Sequence, residues 1–500
     1  MREHLVPLMR LVEKSDCFVK GASFPFLAAA LVASLFVFAL CFPYPQGPAD
    51  NGDFSRISSL FCSAPRGTPS STGPGDPAYS RRFFNFYHQQ WALGREVRGA
   101  VRPSSSLLLY LPGWLVASAV SAEYYDLNCN AFFLVVVLSG AVFVVIRQLS
   151  NSLTRLSAFA VVFIMADAGC SGYLNSFYQE SGVFFFFVLL VLLLCLWSRR
   201  PTVGCSLAVV ACAALLALTK RGVAPSVIAL FLPLLVLFAV KQFEGRRVHL
   251  GLLAPLVFAA GALLAPFDPN GIWYEKFNCY NFIFSGALPQ LEPVERTAFL
   301  GKLGMGGSNA AYCGMTGYEP GSNFQDSTVS GLLGQELHWR GASLLVCSYP
   351  FAAFSLAARA ATSAGSYEVA NVGYRSVDFS EKREPLDSIR IWSLFRSRVL
   401  HGVSAYAAGF VVALWVGVLS LKTKPGPTLV LNGLVLGSFL ASLVQVPIAV
   451  FGDGQHELAK HLYFANLTLD TSLVVGAVVL SAHFLRRQED RVHSRVSRKQ

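Results

Sequence analysis

This sequence is poor in charged residues. Of its 500 residues only 14% are Asp, Glu, Lys or Arg, while 54% are hydrophobic. A soluble globular chain carries roughly 25% charged residues. Because the deficit extends along the whole chain, it excludes a soluble domain with a single membrane anchor. It predicts instead an all-α polytopic membrane protein.

Signals for processing and for cysteine pairing are also missing. No A-x-A-like cleavage site follows the first apolar run, "FPFLAAALVASLFVFALCF" at 24–42, so we expect a retained helix and not a cleaved signal peptide. The chain has 11 cysteines and no C-x-x-C pair. Cys279 and Cys313 share one long loop. They could form a disulfide if that loop is extracytoplasmic.

Positive charge exceeds negative charge, and the net charge is +11. Much of the excess lies in short loops and in the final stretch "RRQEDRVHSRVSRKQ" at 486–500. A nucleic-acid-binding protein would concentrate this charge on a soluble face, so we expect no nucleic-acid partner. Basic short loops and tails are typical of the cytoplasmic side of a membrane protein.

About ten apolar runs are candidate membrane-spanning helices by length and composition. They are 24–42, 130–147, 155–168, 182–198, 204–219, 222–240, 250–266, 402–420, 427–449 and 470–485. Two shorter runs that contain a proline, 106–120 and 343–358, are expected to be interfacial or re-entrant helices. With the amino terminus in the cytoplasm, the basic loops and both chain ends then lie inside. The expected location is a bacterial inner membrane.

This topology divides the chain into four parts. They are an N-terminal transmembrane module at 1–266 with a first outer loop at 43–129, an extracytoplasmic segment at 267–401, C-terminal helices at 402–485 with an outer motif at 450–469, and a basic cytoplasmic tail at 486–500. Structureless loops as long as the second part are uncommon. We therefore expect short amphipathic helices there, folded against the membrane. No fixed-period internal repeat is present.

Polar residues gather at the span ends that this topology places on the outer face. Ionisable groups next to hydrocarbon are costly and mark functional sites by default. The candidate site residues are Asp53, Arg56, Asn175, Tyr178, Glu180, Lys220, Arg221, Asp453, His456, Glu457, Lys460 and His461.

Lys220 and Arg221 form a cationic pair at an outer turn, against the positive-inside trend. Either the two side chains snorkel to the interface, or they bind an anion, for which Lys supplies a point charge and Arg a planar fork. A lipid phosphate is the obvious anion at that depth.

The stretch 453–464 is expected to form one helix that opens after "GDG". Asp453, Glu457, Lys460 or His461, and Phe464 would then share a face, because they recur every three or four residues. The hexapeptide "HELAKH" resembles the zinc-peptidase motif, but its two histidines are five residues apart where that motif needs four. Zinc-peptidase chemistry is therefore excluded. For each of the two histidines, a purely structural role is the alternative to substrate binding.

Asp53 has two interpretations. It either caps a short helix that begins in "DFSR", or it is a general base that accepts a proton from a sugar hydroxyl. Glu180, in another outer loop, would share that task or orient the acceptor. Two carboxylates also suit a divalent cation, but the sequence supplies no third or fourth ligand.

Three motifs in order, "NGDFSR", "YLNSFYQES" and "GDGQHELAKHLYFANLTLD", resemble those of bacterial glycan-biosynthesis hexose transferases of the WsfD type. The arrangement of acids on outer loops is similar to that of the wider GT-C class of integral-membrane glycosyltransferases. The resemblance covers most of the chain. It implies a GT-C-like bundle of about ten spans with periplasmic juxtamembrane helices.

Residue by residue, the resemblance implies Asp53 as the catalytic base and Glu180 as a second acid. Lys220 and Arg221 would lie where the donor phosphate is held, together with Arg56; the family's turn is less basic than "TKRG", which leaves the role of Arg221 open. The stretch before the last span matches at Asp453, Lys460, His461 and Asp470. Asn175, Tyr178, His456 and Glu457 are added as substrate-binding candidates.

The expected function is transfer of a hexose from a polyprenyl-phosphate donor to a cell-surface glycan or lipid-linked acceptor, with inversion if the attack is direct. A transporter or flippase is one alternative, although such folds usually carry internal repeats. An O-antigen ligase or polymerase is another, and it would depend on outer arginines such as Arg296 and Arg340. The sugar, the linkage, the acceptor and the oligomeric state are not encoded in any motif.

Overall fold

The computed structural model of the chain describes residues 17–42, 44–67, 79, 82–94, 104–241, 271–368, 372–375 and 389–497. Most of these residues are helical. The α-helices are α1 Phe24–Cys41, α2 Ser55–Ser58, α3 Leu107–Ala119, α4 Leu127–Gln148, α5 Ser152–Met165, α6 Ala168–Ser171, α7 Glu180–Arg199, α8 Val203–Ala217, α9 Ala224–Val240, α10 Gly271–Tyr280, α11 Pro293–Lys302, α12 Ser327–Leu332, α13 Gln335–Ser348, α14 Pro350–Ser363, α15 Ile391–Arg398, α16 Gly402–Lys422, α17 Pro427–Asp453, α18 Leu458–His461 and α19 Tyr463–Ser497.

Shorter elements connect them. Single 3₁₀ turns occupy Gly172–Asn175, Arg221–Val223, Leu288–Gln290, Gly307–Tyr312 and Asn323–Gln325, and a π-helix occupies Asn281–Ala287. Three strands, β1 Cys62–Pro65, β2 Gln90–Leu93 and β3 Tyr124–Asp126, form an antiparallel sheet in that order.

Within the described residues, seven helices are long and apolar enough to cross a membrane, and the number rises to nine if each of two bent pairs is one span. The chain is therefore an all-α polytopic membrane protein, as the composition predicts. The expected span at 250–266 lies outside the described residues. The expected span at 204–219 corresponds to α8, whose 15 residues are shorter than a typical span.

One of the two ambiguous apolar runs and one expected span form bent helix pairs, and the other ambiguous run forms a short helix. The run 343–358 lies in α13 and α14, which meet at 109° where Pro350 begins the second helix; proline disfavours a helical residue before it. The expected span at 155–168 ends at Met165 and turns by 74° into the next helical segment. The run 106–120 forms α3, which has only 13 residues.

The antiparallel contact between α9 and α17 places the basic turn of the candidate site. Gly437 leaves no room for a side chain, because a Cβ there would lie 1.9 Å from the carbonyl oxygen of Leu230. Small residues allow membrane helices to approach this closely. Since α9 begins and α17 ends at the same face, the turn around Gly222 packs beside Ile448, close to Asp453.

The described part of the loop that follows α1 is fixed by aromatic packing. The ring of Phe54 is buried against Trp91 of β2 and against Phe177 and Tyr178, with centroid distances of 5.6, 5.8 and 4.7 Å. Phe54 therefore anchors its neighbour Asp53. In the segment from 271 to 368, Cys279 and Cys313 both carry free thiols, so the disulfide that their shared loop allowed is not formed.

Candidate functional site

A cavity of about 860 Å³ opens where these elements meet. Its walls come from the loop at 51–56, the turn at 219–223, the stretch 445–464 and residues between 275 and 339. These last residues belong to the segment 267–401 that was expected on the outer face, which we call the outer segment. Ten of the twelve predicted site residues line it: Asp53, Arg56, Glu180, Lys220, Arg221, Asp453, His456, Glu457, Lys460 and His461. The structure thus brings together residues that lie up to about 400 positions apart in the chain.

Asp50, which the sequence patterns did not single out, shapes the "NGDFSR" loop. Its carboxylate Oδ1 accepts hydrogen bonds from the backbone N–H groups of Gly52, at 2.7 Å, and Phe54, at 3.1 Å. Burial raises the pKa of Asp50 to about 7. The alternative in which Asp53 caps the following helix is wrong, because α2 receives no side-chain cap and the local turn is closed by Asp50.

Asp53 is held between two cations. Its Oδ1 lies 2.7 Å from Nη2 of Arg56, and its Oδ2 accepts a hydrogen bond of 2.7 Å from Nζ of Lys460. Burial alone would raise the pKa of Asp53, but Arg56 and then Lys460 outweigh it and hold that pKa below its usual range. Asp53 is therefore an ionised carboxylate at neutral pH.

Glu457 shares Lys460 with Asp53. Its carboxylate pairs with Nζ of Lys460 and accepts two hydrogen bonds from Nδ2 of Asn51, at 2.6 and 2.8 Å. Burial raises the pKa of Glu457, but Lys460 outweighs burial and lowers it to about 2. For Lys460, burial lowers the pKa, but the charges of Asp53 and Glu457 outweigh burial and raise the pKa above its usual value. The lysine is a permanent cation between two carboxylates.

The expected continuous helix at 453–464 is wrong. Helix α17 ends at Asp453, and Gly454 follows with φ +63°, where a Cβ would lie 2.4 Å from the carbonyl oxygen of Asn281. Glu457 is left-handed as well, with φ +44°, which costs free energy for a residue other than glycine. Leu458–His461 return to a single helical turn, and Tyr463 and Phe464 already belong to the next helix, α19. The predicted shared face is thus produced by a folded loop and not by helical periodicity.

Asp453 and His461 form a second polar contact in the cavity wall. Nε2 of His461 lies 3.1 Å from Oδ2 of Asp453, and Oδ1 accepts a hydrogen bond of 2.7 Å from Nδ2 of Asn281. Burial, and then the nearby charge of Lys220, lower the pKa of His461, although Asp453 opposes them. A neutral imidazole is favoured at neutral pH.

The turn cations point toward carboxylates of the cavity. Nζ of Lys220 donates a hydrogen bond of 2.8 Å to Glu180, which lies in the first turn of α7, where the helix dipole favours an anion. Arg221 is half-exposed, and its Nη1 is 3.6 Å from Glu275. Lys220 therefore does not snorkel outward, and an anionic ligand would compete with Glu180 for it.

Asn175 and Tyr178 are not part of the cavity lining. Nδ2 of Asn175 donates to the carbonyl oxygens of Leu40 and Gln46, and the hydroxyl of Tyr178 donates to Ala49 at 2.8 Å. Both side chains are buried behind the loop that carries Asp53. Their contacts fix that loop, and the structure gives them no access to a substrate.

Asp470, which the resemblance includes in its third motif, lies elsewhere. It is fully buried in α19, where its carboxylate pairs with Arg396 and accepts hydrogen bonds from Tyr367 and Trp392. This buried network joins the outer segment to the last spanning helix and does not face the cavity.

Several lining residues come from the outer segment, where sequence patterns gave no signal. They are Glu275, Phe277, Asn278, Tyr318, Gln335, His338 and Trp339. Arg296 and Arg340, proposed for a ligase, do not line the cavity; they donate instead to backbone carbonyls, Arg296 to Leu288 and Leu291 and Arg340 to Lys302. Among the described residues, no group of three His, Cys, Asp or Glu side chains is placed to bind a metal ion.

The stability of the charged loop should depend on pH through Glu457. Its folded pKa of about 2 is below the ordinary value of 4.5, so its contribution is complete above about pH 4.5 and is lost as the pH falls toward about 2. We expect the melting temperature in detergent to fall over this interval, and the fall to be smaller in Glu457→Gln, which cannot titrate. An equal fall in both proteins would contradict the assignment.

The fold and the cavity define the class: a multi-pass membrane protein with a charged cavity at the ends of its spanning helices. A family model described as the YfdI N-terminal transmembrane domain matches residues 12–498, and the chain belongs to this family. No curated protein and no solved structure matches it. The description names a transmembrane domain and no activity, so the resemblance to GT-C and WsfD-type enzymes stays a prediction.

Proposed function

We propose that the protein is a glycosyltransferase of the bacterial inner membrane. It would move a hexose from a polyprenyl-phosphate donor to a surface glycan or a lipid-linked acceptor on the periplasmic face. The observation that carries the proposal is the position of Asp53, an ionised carboxylate that lines the cavity between Lys460 and Arg56. The carboxylate can accept the proton of the acceptor hydroxyl, and the two cations can stabilise the phosphate that leaves.

The lining of the cavity suits an amphiphilic donor. Apolar residues face it on the side of the spanning helices, among them Val183, Val223, Pro225, Ile448 and Phe464. Four cations, Arg56, Lys220, Arg221 and Lys460, line the same cavity. An isoprenoid chain would follow the apolar side while its phosphate reaches the cations. Nucleotide sugars are cytoplasmic, so a lipid-linked donor is the appropriate source on the outer face.

In the proposed reaction an acceptor hydroxyl attacks the anomeric carbon of the donor sugar. A new C–O bond forms, the bond from that carbon to the phosphate oxygen breaks, and the lipid phosphate leaves with the electron pair. Asp53 accepts the hydroxyl proton. Cations stabilise the charge that develops on the phosphate, so no general acid is required. Direct attack inverts the configuration of the sugar.

The resting ion pairs make Asp53 a weak base until the donor binds. Arg56 and Lys460 lower its pKa, and the singly charged phosphodiester of the donor would compete for the same two cations, more strongly as the leaving phosphate gains negative charge. Once the cations turn toward the phosphate, the pKa of Asp53 rises and proton transfer becomes more favourable. Donor binding would thereby activate the base. Glu180 would act similarly when the phosphate attracts Lys220.

Loss of the protein should leave its donor unused. In a deletion strain, we expect one polyprenyl-phosphate hexose to accumulate in the membrane and one hexose to disappear from the surface glycan, both measured by mass spectrometry. Purified protein in liposomes should transfer that hexose to the glycan isolated from the deletion strain. Movement of the lipid-linked sugar across the bilayer without a new glycosidic bond would instead identify a flippase.

A further inference from the structure

Aromatic rings form one wall of the cavity. This wall belongs to the outer segment, and two of its rings remain largely exposed: Tyr318 at 52% and Trp339 at 64%. Exposing aromatic surface to water costs free energy. Several exposed rings in one cavity wall therefore indicate a binding site. None of the roles proposed above for the charged residues uses these rings.

Tyr318 belongs to a continuous stack of four rings, which we term the aromatic column. Phe324 stacks on Phe277 at a centroid distance of 3.9 Å, Phe277 on Tyr318 at 4.5 Å, and Tyr318 on His456 at 4.9 Å. Phe277 and Phe324 are buried and support the exposed end of the column. Through His456 the column reaches the loop that carries Glu457 and Lys460.

The aromatic column is fixed to the charged part of the cavity. Gly317, next to Tyr318, has no room for a side chain, because a Cβ would lie 2.9 Å from the ring of Phe277. Its N–H donates a hydrogen bond of 2.9 Å to Oδ1 of Asn281, whose amide donates to Asp453. The ring of Tyr318 and the carboxylate of Asp453 are therefore positioned by one amide.

The chemistry around Tyr318 suits a polyol with an apolar face. Within the described residues, its hydroxyl and the indole N–H of Trp339 have no hydrogen-bond partner, and both residues line the cavity. The carboxylates of Asp453 and Asp53 act on the Tyr318 phenol, which is therefore a neutral hydrogen-bond donor beside carboxylates. The C–H face of a pyranose packs on an aromatic ring, and its hydroxyls donate to carboxylates.

We propose that Trp339 and the exposed end of the aromatic column form the subsite for the acceptor sugar, with Trp339 stacking against the pyranose ring and the Tyr318 hydroxyl bonding it. This inference rests on the proposed function and adds the acceptor side of it. The apolar lining contributed by the spanning helices suits the isoprenoid chain of the donor, whereas these rings belong to the outer segment. The acceptor hydroxyl would thereby lie close to Asp53.

Replacing the rings should weaken acceptor binding and leave donor binding intact. In Trp339→Ala we expect the KM for the acceptor glycan to rise by roughly tenfold, as for loss of an aromatic stacking contact, with an unchanged KM for the polyprenyl-phosphate hexose. Tyr318→Ala should also raise the acceptor KM alone, because it removes both the hydroxyl that bonds the sugar and a ring of the aromatic column. Tyr318→Phe keeps the stack and should show a smaller rise. Phe351→Ala removes an aromatic side chain that is 88% exposed outside the cavity, and it serves as the matched control.

Binding without turnover separates the subsite from the reaction. Saturation-transfer NMR of the detergent-purified protein with methyl hexosides and short oligosaccharides should show contacts that are lost in Trp339→Ala and kept in Phe351→Ala. Such contacts would support the subsite even if no transfer is found. Unchanged sugar contacts and unchanged acceptor KM in both alanine variants, with normal folding, would overturn it. A raised KM for the lipid donor alone would assign the rings to the isoprenoid chain and also overturn it.

Discussion

The Asp53→Asn variant is expected to lose sugar transfer by roughly 10²- to 10⁴-fold, the range for removal of a general base. The amide has nearly the same shape as the carboxylate, but it cannot accept the hydroxyl proton. Its carbonyl oxygen still accepts a hydrogen bond from Lys460 or Arg56, and Lys460 keeps Glu457 as its counter-charge. Folding should therefore be largely preserved while the chemical step is lost.

The measurement is transfer of labelled hexose in liposomes, normalised to the amount of folded protein. Asp326→Asn is a matched control, because Asp326 is an exposed helix cap in the outer segment and does not line the cavity. It should keep full activity. Asp53→Asn at normal abundance with full transfer would refute the role of Asp53 as base. Glu180→Gln, measured in parallel, shows whether the second carboxylate shares the task.

Membrane topology explains why much of the site could be predicted from sequence. Loops between spans lie on one of two faces, so an assignment by basic residues already groups distant segments. Asp53, Glu180 and Lys220 were predicted on the same face by this rule, and the structure places them in one cavity. The rule cannot predict which side chains contact each other. The contacts of Asp53 with Lys460 and of Glu180 with Lys220 depend on how the helices pack.

Local patterns failed where tertiary contacts decide the backbone. Asp53 fits a capping pattern for the short helix that follows it, yet the carboxylate that accepts backbone N–H groups in this loop is that of Asp50. The spacing of Asp453 and Glu457 fits a helix, yet the close approach of Gly454 to Asn281 interrupts it. This interruption depends on a neighbour that is distant in sequence.

The outer segment escaped prediction for a different reason. Long membrane-spanning runs are recognised by their hydropathy, whereas most of the outer segment has an ordinary mixture of residues. Nothing near Glu275, Tyr318 or Trp339 has a motif spacing, so these lining residues carried no signal. Only the fold shows that they complete the cavity.

Arg396→Ala is expected to destabilise the protein by about 3–5 kcal/mol, the range for breaking a buried ion pair. Both side chains of the pair are fully buried, and removing the arginine leaves the charge of Asp470 without its counter-ion in α19. The expected result is a lower melting temperature in detergent and a lower abundance in the membrane. The pair of Arg390 and Glu368, whose side chains are about one-fifth exposed, gives a milder comparison: Arg390→Ala should cost about 1 kcal/mol or less.

This variant also decides whether Asp470 belongs to the reaction. If its role is structural, the Arg396→Ala protein that remains folded should transfer sugar at the normal rate per molecule. Replacing both partners by neutral residues, as in Arg396→Met with Asp470→Asn, should recover part of the lost stability, because the cost of burying charge is removed while the amide oxygen can still accept from Tyr367 and Trp392. Normal stability in Arg396→Ala together with lost transfer would reverse the conclusion. It would move Asp470 from the support of the last helix to the chemistry of the cavity.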